Sequence, residues 1–256
     1  MGALDHTHAL VTGGGTGIGA AIARVLASAG AAVTVAGRRK EALEKVAASL
    51  PKGAVAVADV TREADCAAMV KAANAAHGPV DIVIANAGAA ESAPAARTGL
   101  DLWQRMLDVN LTGAFLTARA ALADVTRKPV APNRRIVFIA STAGLRGYPY
   151  VAAYVAAKHG VVGLTRALSA ELASTGVTVN AVCPGYTETP MLEHSVAAIA
   201  AKTGRSADDA RAALARDNAH GKLITPEEVA ETVLWLCSPA AGAISGQAIA
   251  IAGGEA

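Results

Sequence analysis

Short apolar segments alternate with longer helical patterns from one end of the chain to the other. The predicted strands are Ala9–Thr12, Ala32–Val35, Ala54–Ala58, Ile82–Ala85, Arg135–Ala140, Thr178–Cys183 and Ala248–Ile251. The predicted helices are Gly17–Ala29, Lys40–Leu50, Arg62–His77, Leu100–Ala123, Val151–Ala173 and Pro226–Cys237. Such alternation indicates right-handed βαβ units, and continuously apolar strands are typical of a parallel sheet covered on both faces.

This pattern predicts an α/β fold: one Rossmann-type, doubly wound parallel sheet of about seven strands with helices on both faces. The chain has no internal repeat and no low-complexity linker, so we expect a single domain over residues 1–256. Between about 186 and 222, two short helical patterns, Glu193–Lys202 and Ala207–Asn218, interrupt the alternation. A long insertion after a strand lies over the ligand crevice of this architecture, so we expect a small helical substrate lid.

The charge and composition exclude several classes of partner. The formal net charge is +2 and the basic residues are scattered, whereas a nucleic-acid-binding face needs a clustered basic stripe. No apolar run reaches the roughly 18 residues of a membrane span, and the first residues lack the pattern of a signal peptide. The cysteines, Cys66, Cys183 and Cys237, have no metal-site spacing. We therefore expect no metal site, and reduced, buried thiols in a cytoplasmic protein.

A cluster of glycines follows the first predicted strand and precedes the first helix, within TGGGTGIG (Thr12–Gly19). At this turn of a doubly wound sheet, backbone N–H groups and the positive end of the helix can bind a pyrophosphate. The spacing differs from the GxGxxG fingerprint of dinucleotide-binding proteins. The alternative is a tight turn without a ligand, in which Gly19 only permits close packing of the helix on the strand.

The second predicted strand ends in Gly37-Arg38-Arg39, without the carboxylate that would bind an adenosine ribose 2′-hydroxyl. A guanidinium suits a 2′-phosphate, so the arginines favour NADP(H), with NAD(H) as the alternative. They could otherwise simply begin a solvated helix.

Asp59 ends the third strand, where its side chain could accept a hydrogen bond from the adenine amino group. Asn86-Ala87-Gly88 follows the fourth strand, and small residues there leave room for a cofactor.

A serine, a tyrosine and a lysine form a candidate catalytic group. Ser141 follows the fifth predicted strand, and Tyr154 and Lys158 lie 13 and 17 residues further on. Residues four apart on a helix share one face, so Tyr154 and Lys158 are expected to be neighbours. A tyrosine pKa is near 10, and we expect an adjacent ammonium and a nicotinamide positive charge to lower it.

With these motifs the chain resembles the classical short-chain dehydrogenase/reductase family from Thr7 to Gly254. The family's motifs stand here as TGGGTGIG (Thr12–Gly19), ANAG (Ala85–Gly88), Asn110 in DVNLTG, Ser141, Tyr154-x-x-x-Lys158, and Pro184-Gly185 followed by Thr189. Ala85 replaces the usual first asparagine of NNAG. The resemblance implies a carbonyl–alcohol oxidoreductase whose cofactor-binding residues are Gly13, Gly15, Thr16, Gly17, Ile18, Gly19, Arg38, Arg39, Asp59, Val60, Asn86, Ala87, Gly88, Tyr154, Lys158, Pro184, Gly185, Thr187 and Thr189.

The resemblance also implies a role for each catalytic residue. Tyr154 would be the acid in reduction and the base in oxidation, and Lys158 would tune Tyr154 and bind the nicotinamide ribose. Ser141 would orient the substrate oxygen. Asn110 would hold a water that links Lys158 to solvent, or would only kink its helix. Thr189, with the backbone after Gly185, would fix the carboxamide.

Within the family, the chain looks nearest to 3-oxoacyl-thioester and polyketide ketoreductases in STAG (Ser141–Gly144), KHGVVGLTRAL (Lys158–Leu168) and NAVCPGYTETPM (Asn180–Met191). Reductases acting on acyl-carrier proteins often carry an arginine at the position of Ala170. The absence of that arginine here favours a free or CoA-linked 3-oxoacyl substrate. The alternatives are an NAD-dependent secondary-alcohol or 3-hydroxyacyl-CoA dehydrogenase and, more remotely, a non-catalytic nucleotide-sensing scaffold.

We also expect a homotetramer. The helix Val151–Ala173 is apolar around much of its circumference, and its apolar residues should not all fit against one sheet; they are Val155, Val161, Val162, Leu164, Leu168 and Leu172. A partner helix in a two-fold interface would cover the remainder. The segment Gly246–Gly254 would form a second interface.

Overall fold

The computed structural model describes residues 2–129 and 133–254. The strands are β1 (His8–Thr12), β2 (Ala32–Gly37), β3 (Gly53–Val57), β4 (Ile82–Ala85), β5 (Arg135–Ile139), β6 (Thr178–Pro184) and β7 (Ala248–Ile251). The α-helices are α1 (Gly17–Ser28), α2 (Lys40–Ala47), α3 (Glu63–His77), α4 (Leu100–Leu107), α5 (Gly113–Ala120), α6 (Leu122–Val125), α7 (Ala152–Leu172), α8 (Pro190–Thr203), α9 (Ala207–Asp217) and α10 (Pro226–Cys237).

All seven strands form one parallel sheet in the order β3-β2-β1-β4-β5-β6-β7. The chain order reverses between β1 and β4, so the crevice for a ligand opens at the carboxyl ends of these two strands. The predicted doubly wound Rossmann-type sheet, with helices on both faces, is confirmed. All seven predicted strands are present, and their ends lie close to the predicted ones.

The two faces of the sheet carry separate hydrophobic clusters. Leu10 and Val11 are successive residues of β1, and they belong to opposite clusters because side chains alternate along a strand. One cluster includes residues of α1, α2 and α10, and the other includes residues of α3, α5 and α7. Coverage on both faces explains why the strands are continuously apolar.

The sequence predicts one continuous helix over Leu100–Ala123, and that prediction is wrong. A π-helical turn, Asp108–Thr112, separates α4 from α5, and α6 follows after a further break. Gly113 begins α5 where a Cβ atom would lie only 2.7 Å from Val60 Cγ2. Asn110, inside the turn, donates from Nδ2 to the main-chain oxygen of Met106 at 3.0 Å. Such bulges are frequent at functional sites, and this one turns Asn110 into the protein interior.

Residues 186–222 contain α8 and α9, as the two short helical patterns predicted. These helices have a small core of their own, formed by Leu192, Val196, Ala210 and Leu214. Ile224 closes the base of the segment with two main-chain hydrogen bonds of 2.9 Å: its N–H donates to the Tyr186 oxygen, and its oxygen accepts from the Glu188 N–H. We call this segment the insertion; its action as a substrate lid stays a prediction.

Four of the six apolar α7 residues named from the sequence are covered within the protomer, while Val155 and Leu164 are only partly buried, so a partner helix against α7 stays a prediction. Val161, Val162, Leu168 and Leu172 are buried in the protomer's own core. Other large apolar side chains are exposed on neighbouring helices, among them Leu100, Trp103 and Phe115. Any interface between protomers is therefore better supported by α4 and α5 than by α7.

The described part of the chain contains no helix long and apolar enough to cross a membrane. Cys66, Cys183 and Cys237 form no disulfide in the described part of the chain, and all three are buried, as expected. Burial raises the pKa of Cys183 to about 11, which keeps this thiol protonated at neutral pH.

Candidate active site

The predicted cofactor residues converge at the carboxyl edge of the sheet. They lie in the β1–α1 turn and the start of α1 (Gly13, Gly15, Thr16, Gly17, Ile18, Gly19), after β2 (Arg38, Arg39), after β3 (Asp59, Val60), after β4 (Asn86, Ala87, Gly88), and at the end of β6 and in the loop beyond it (Pro184, Gly185, Thr187, Thr189). Val60 turns its side chain into the core, so only its backbone remains available to a ligand.

The glycine turn depends on the absence of side chains. Gly13 has a positive φ of 64°, and a Cβ there would lie 2.7 Å from Asn86 Nδ2. A Cβ on Gly19 would lie 2.3 Å from the main-chain oxygen of Gly13. Gly19 thus permits close packing of α1 against the turn, which is the structural role considered from the sequence.

Thr12 and Asn86 tie the glycine turn to the end of β4. The Thr12 hydroxyl accepts hydrogen bonds from the main-chain N–H groups of Asn86 at 3.1 Å and Ala87 at 3.2 Å. Asn86 Nδ2 donates to the main-chain oxygen of Thr12 at 2.8 Å. Asn86, Ala87 and Gly88 are the residues predicted to bind a cofactor after β4, whereas Thr12 is not among the predicted site residues. Its place in the TGGGTGIG motif was the available signal.

The N-terminus of α1 has neither of the usual protein acceptors for its N–H groups. Thr16 is the N-cap, yet its side chain makes no capping hydrogen bond, and the first turn contains no acidic residue. An anion at this position would face the positive end of a 12-residue helix. The turn therefore fits the pyrophosphate of a dinucleotide.

The two arginines after β2 lie beside this turn. Arg39 donates from its guanidinium to Thr16 Oγ1 at 3.1 Å, so its cation is held next to the glycine turn. Hydrogen bonds from Thr61, with a smaller contribution from the charge of Arg38, hold the pKa of Asp59 below its ordinary value. Asp59 is thus an ionised acceptor within the electrostatic reach of Arg38.

The candidate catalytic residues come together where β5 ends. Ser141 lies close enough to the Tyr154 phenol to lower its pKa as a hydrogen-bond partner. Ser141 Oγ also accepts from the main-chain N–H of Ala143 at 3.1 Å, which fixes its position at the end of the strand. Lys158 Nζ lies 5.6 Å from the centre of the Tyr154 ring. The shared helix face predicted for Tyr154 and Lys158 is therefore present on α7.

Burial controls the ionisation of this pair. Burial raises the pKa of Tyr154 above its ordinary value, although the Ser141 hydrogen bond acts in the opposite direction. Burial lowers the pKa of Lys158 to about 8. The lowered tyrosine pKa expected from the sequence is thus not a property of the protein alone, because desolvation of the phenol outweighs its hydrogen bond.

Asn110 lies beside Lys158, with Gly88 between them. Its Nδ2 donates to the main-chain oxygen of Ala89 at 2.9 Å, and its Oδ1 accepts from the Ala89 N–H at 3.3 Å. A Cβ on Gly88 would lie 2.8 Å from Asn110 Oδ1 and 3.8 Å from Lys158 Nζ. These bonds fix the Asn110 amide inside the π-helical turn, and both roles considered from the sequence, holding a water and kinking the helix, stay predictions.

The loop after β6 brings the insertion against the glycine turn. Thr189 caps α8 by accepting from the Leu192 N–H at 3.2 Å, and its Cγ2 would lie 3.2 Å from a Cβ on Gly17. A Cβ on Gly185 would lie 2.3 Å from Oδ1 of the buried Asn218. Sequence reasoning missed Asn218, since nothing in its spacing marks it.

Among the described residues, no cluster of histidine, cysteine, aspartate and glutamate side chains could hold a metal ion. The groups that the site does bring together are a partly buried phenol, a buried ammonium and a hydroxyl beside the glycine turn. That combination suits proton transfer to or from an oxygen whose carbon exchanges a hydride.

Comparisons with known proteins agree with this geometry. The family model described as short chain dehydrogenase matches residues 7–200. A putative ketoacyl reductase of Streptomyces coelicolor is 38% identical over 262 residues, covering 99% of this chain and 98% of that protein. The cis-4-hydroxycyclohexanecarboxylate dehydrogenase of Sinomonas cyclohexanicum is 39% identical over 251 residues, covering 96% and 95%.

Among solved structures, a single-residue variant of actinorhodin polyketide ketoreductase with NADPH superposes with a TM-score of 0.93. The two chains are 37% identical, and the match covers 100% of this chain and 99% of the other. On the family match and these similarities, the chain is an oxidoreductase that belongs to the short-chain dehydrogenase/reductase family.

Proposed function

We propose that this oxidoreductase interconverts a ketone and a secondary alcohol with NADP(H), using Ser141, Tyr154 and Lys158. The observation that carries the proposal is the position of the Lys158 ammonium, 5.6 Å from the centre of the Tyr154 ring, together with Ser141 beside the same phenol at the end of β5. These groups lie at the carboxyl edge of the sheet, where a glycine turn fits a dinucleotide. The test is NADPH oxidation by the purified protein with a panel of ketones.

In the reduction, a bound nicotinamide supplies the hydride to the carbonyl carbon. The Tyr154 phenol donates its proton to the carbonyl oxygen as negative charge develops there, and the C=O bond becomes a C–O–H group. The Ser141 hydroxyl donates a hydrogen bond to the same oxygen and orients it. The raised pKa of Tyr154 suits this direction, because the phenol is protonated before the step.

Lys158 then restores the proton on the Tyr154 phenolate. Its pKa of about 8 is low for an ammonium, which makes proton transfer to the phenolate favourable. Lys158 would also bind the nicotinamide ribose hydroxyls. Asn110, whose Oδ1 borders the Gly88 position near Lys158, would hold the water through which Lys158 exchanges protons with solvent. In the oxidation, Tyr154 accepts the alcohol proton.

NADP(H) is favoured by the cation that Arg39 places beside the glycine turn. A 2′-phosphate there would gain charge-assisted hydrogen bonds, whereas NAD(H) would leave the guanidinium without an anion. The ketoreductase compared above was solved with NADPH, which supports the same choice. A higher kcat/KM with NADH than with NADPH would contradict it.

For the substrate, we propose a 3-oxoacyl group, carried by CoA or free, because a ketoacyl reductase matches the chain over almost its whole length. The alternative, an NAD-dependent dehydrogenase of a secondary alcohol or a 3-hydroxyacyl-CoA, is supported by the similarity to a cyclic hydroxy-acid dehydrogenase. Initial rates with 3-oxoacyl-CoA and with a cyclic alcohol, each with both cofactors, separate the two. A nucleotide-sensing scaffold would bind NADPH and turn over neither.

We further propose one catalytic domain over residues 1–256, with the insertion at about 186–222 as its lid. A homotetramer is supported by Leu100, which is 84% exposed on α4, and by the exposed rings of Trp103 and Phe115. Trp235, 43% exposed on α10, supports a second interface that includes the chain segment Gly246–Gly254. The buried thiols suit a cytoplasmic enzyme.

A further inference from the structure

Tyr148 is fixed at the edge of the candidate active site by its phenol and by its ring. Its hydroxyl forms a 2.8 Å hydrogen bond with Oγ1 of Thr142, the buried residue that follows Ser141. The Arg146 guanidinium lies 4.7 Å from the centre of the Tyr148 ring. These two contacts, one at the hydroxyl and one at the ring, restrict its rotation, so the ring is a defined surface.

A second tyrosine completes that surface from the insertion. The Tyr186 ring meets the Tyr148 ring edge to face, with 6.3 Å between the ring centres. Asn218 holds the backbone of Tyr186 on both sides: its Oδ1 accepts from the Tyr186 N–H and its Nδ2 donates to the Tyr186 oxygen, each at 2.9 Å. Tyr186 also packs against the small core of the insertion.

The paired rings lie close to the reacting groups. Burial is the main cause of the raised pKa of Tyr154, and the electrostatic effect of Tyr148 adds to it. Thr142, whose hydroxyl is hydrogen-bonded to Tyr148, is the residue next to Ser141. A ketone oxygen held by Ser141 and Tyr154 would place the two substituents of its carbon in different directions, and the Tyr148 ring lies on the side of Thr142.

From this arrangement we propose that Tyr148, backed by Tyr186, determines the size of the smaller carbonyl substituent that the enzyme accepts. The inference rests on the proposed reduction at Tyr154. For a 3-oxoacyl substrate, the group limited in this way is the terminal alkyl chain, since the thioester side must extend toward solvent. The enzyme therefore selects short-chain 3-oxoacyl thioesters.

The experiment compares kcat/KM for 3-oxobutanoyl-CoA, 3-oxohexanoyl-CoA and 3-oxooctanoyl-CoA with NADPH. The three substrates differ only in the terminal chain, so their ratios cancel effects on the cofactor and on Tyr154. The wild-type enzyme should prefer the shortest substrate over the longest by about tenfold or more, the size of a steric mismatch in an apolar pocket. Tyr148→Ala should reduce that preference by about tenfold.

Three further variants separate ring size from other effects. Tyr148→Phe keeps the ring and loses the Thr142 hydrogen bond, so it should retain the chain-length preference. Tyr186→Ala should weaken it. Tyr150→Ala, at a neighbouring position that is 65% exposed, is the matched control and should leave the preference unchanged. If Tyr148→Ala fails to bind NADPH, Tyr148→Leu takes its place with the same expected direction.

Two results overturn the inference while leaving the proposed reaction in place. The first is a wild-type kcat/KM that does not depend on chain length. The second is a chain-length preference in Tyr148→Ala, or in Tyr148→Leu where that variant replaces it, that equals the wild-type preference. A wild type that binds NADPH but reduces none of the three substrates contradicts the proposed 3-oxoacyl reduction and, with it, this inference.

Discussion

Lys158 Nζ donates a 2.9 Å hydrogen bond to the main-chain oxygen of Ile139, the last residue of β5. The bond joins the first half of α7 to the strand that ends just before Ser141. It also satisfies one of the three ammonium protons of a side chain that is only 4% exposed. The relative placement of Ser141, Tyr154 and Lys158 thus depends on a contact between α7 and the sheet.

Removing the Tyr154 hydroxyl should abolish most of the activity and leave the fold intact. Tyr154→Phe keeps the buried ring but has no proton to donate, so ketone reduction should fall by at least about 10²-fold. Single-turnover hydride transfer and NADPH affinity are the measurements, and the affinity should be near that of the wild type. Tyr150→Phe is the control. Turnover of a good substrate by Tyr154→Phe at the wild-type rate would refute the proposed acid.

Lys158 should make the stability of the cofactor-free protein depend on pH. Burial lowers its pKa from 10.5 to about 8, so between these values the unfolded chain binds more protons than the folded one. The free energy of unfolding should therefore rise with pH in this window, and the cost of burying the charge is largest below pH 8. From pH 7 to 9.5 the wild type should gain on the order of 1–2 kcal/mol relative to Lys158→Met.

Urea unfolding of both proteins at several pH values measures this difference. Parallel stability curves would show that the ammonium is not destabilised by burial. Lys158→Met should also lose activity and bind NADPH more weakly, because Lys158 is assigned both to the phenol and to the ribose.

Arg39 should contribute to the choice of cofactor. Arg39→Ala removes the guanidinium beside Thr16, so kcat/KM with NADPH should fall by about tenfold or more, while the value with NADH stays close to the wild type. Lys40→Ala is a matched control, since its ammonium lies next along the chain but pairs with Glu44 at 3.6 Å. Equal losses with both cofactors would mean that Arg39 does not meet a 2′-phosphate.

A side chain at Gly13 should disturb the nucleotide turn. Gly13→Ala requires a positive φ and places Cβ against Asn86 and Ala87, so the protein should lose about 1–3 kcal/mol of stability and bind NADPH more weakly. Gly147→Ala has open space around the new Cβ and should leave both quantities near the wild type. Thermal unfolding and NADPH titration of the two variants provide the comparison.

Assembly can be tested on the exposed face of α4. Leu100→Glu should break an interface and lower the mass measured by light scattering, whereas Val57→Glu, also at an exposed position, should not. A wild-type protein that is monomeric at micromolar concentration would rule out the homotetramer.

Local patterns in the sequence were enough to predict several parts of this molecule. Apolar runs located the strands, and the four-residue spacing placed Tyr154 and Lys158 on one helix face. Contacts between distant segments could not be predicted in this way. The hydrogen bond from the Asn86 side chain to the Thr12 oxygen joins residues 74 positions apart, and no local pattern predicts such a contact. The π-helical turn at Asn110 and the raised pKa of Tyr154 likewise arise from tertiary packing and burial.

A main-chain bridge and the hydrogen bonds of one amide side chain close the base of the insertion. Thr187 and Ile224 form an isolated parallel bridge, and the Asn218 amide, which holds Tyr186, also donates to the Lys222 oxygen at 2.6 Å. The helices between these points, α8 and α9, follow Thr187 and Thr189, which are among the predicted cofactor residues. A change of length or sequence confined to α8 and α9 would leave both threonines in place, so substrate range can diversify in evolution while the cofactor stays the same.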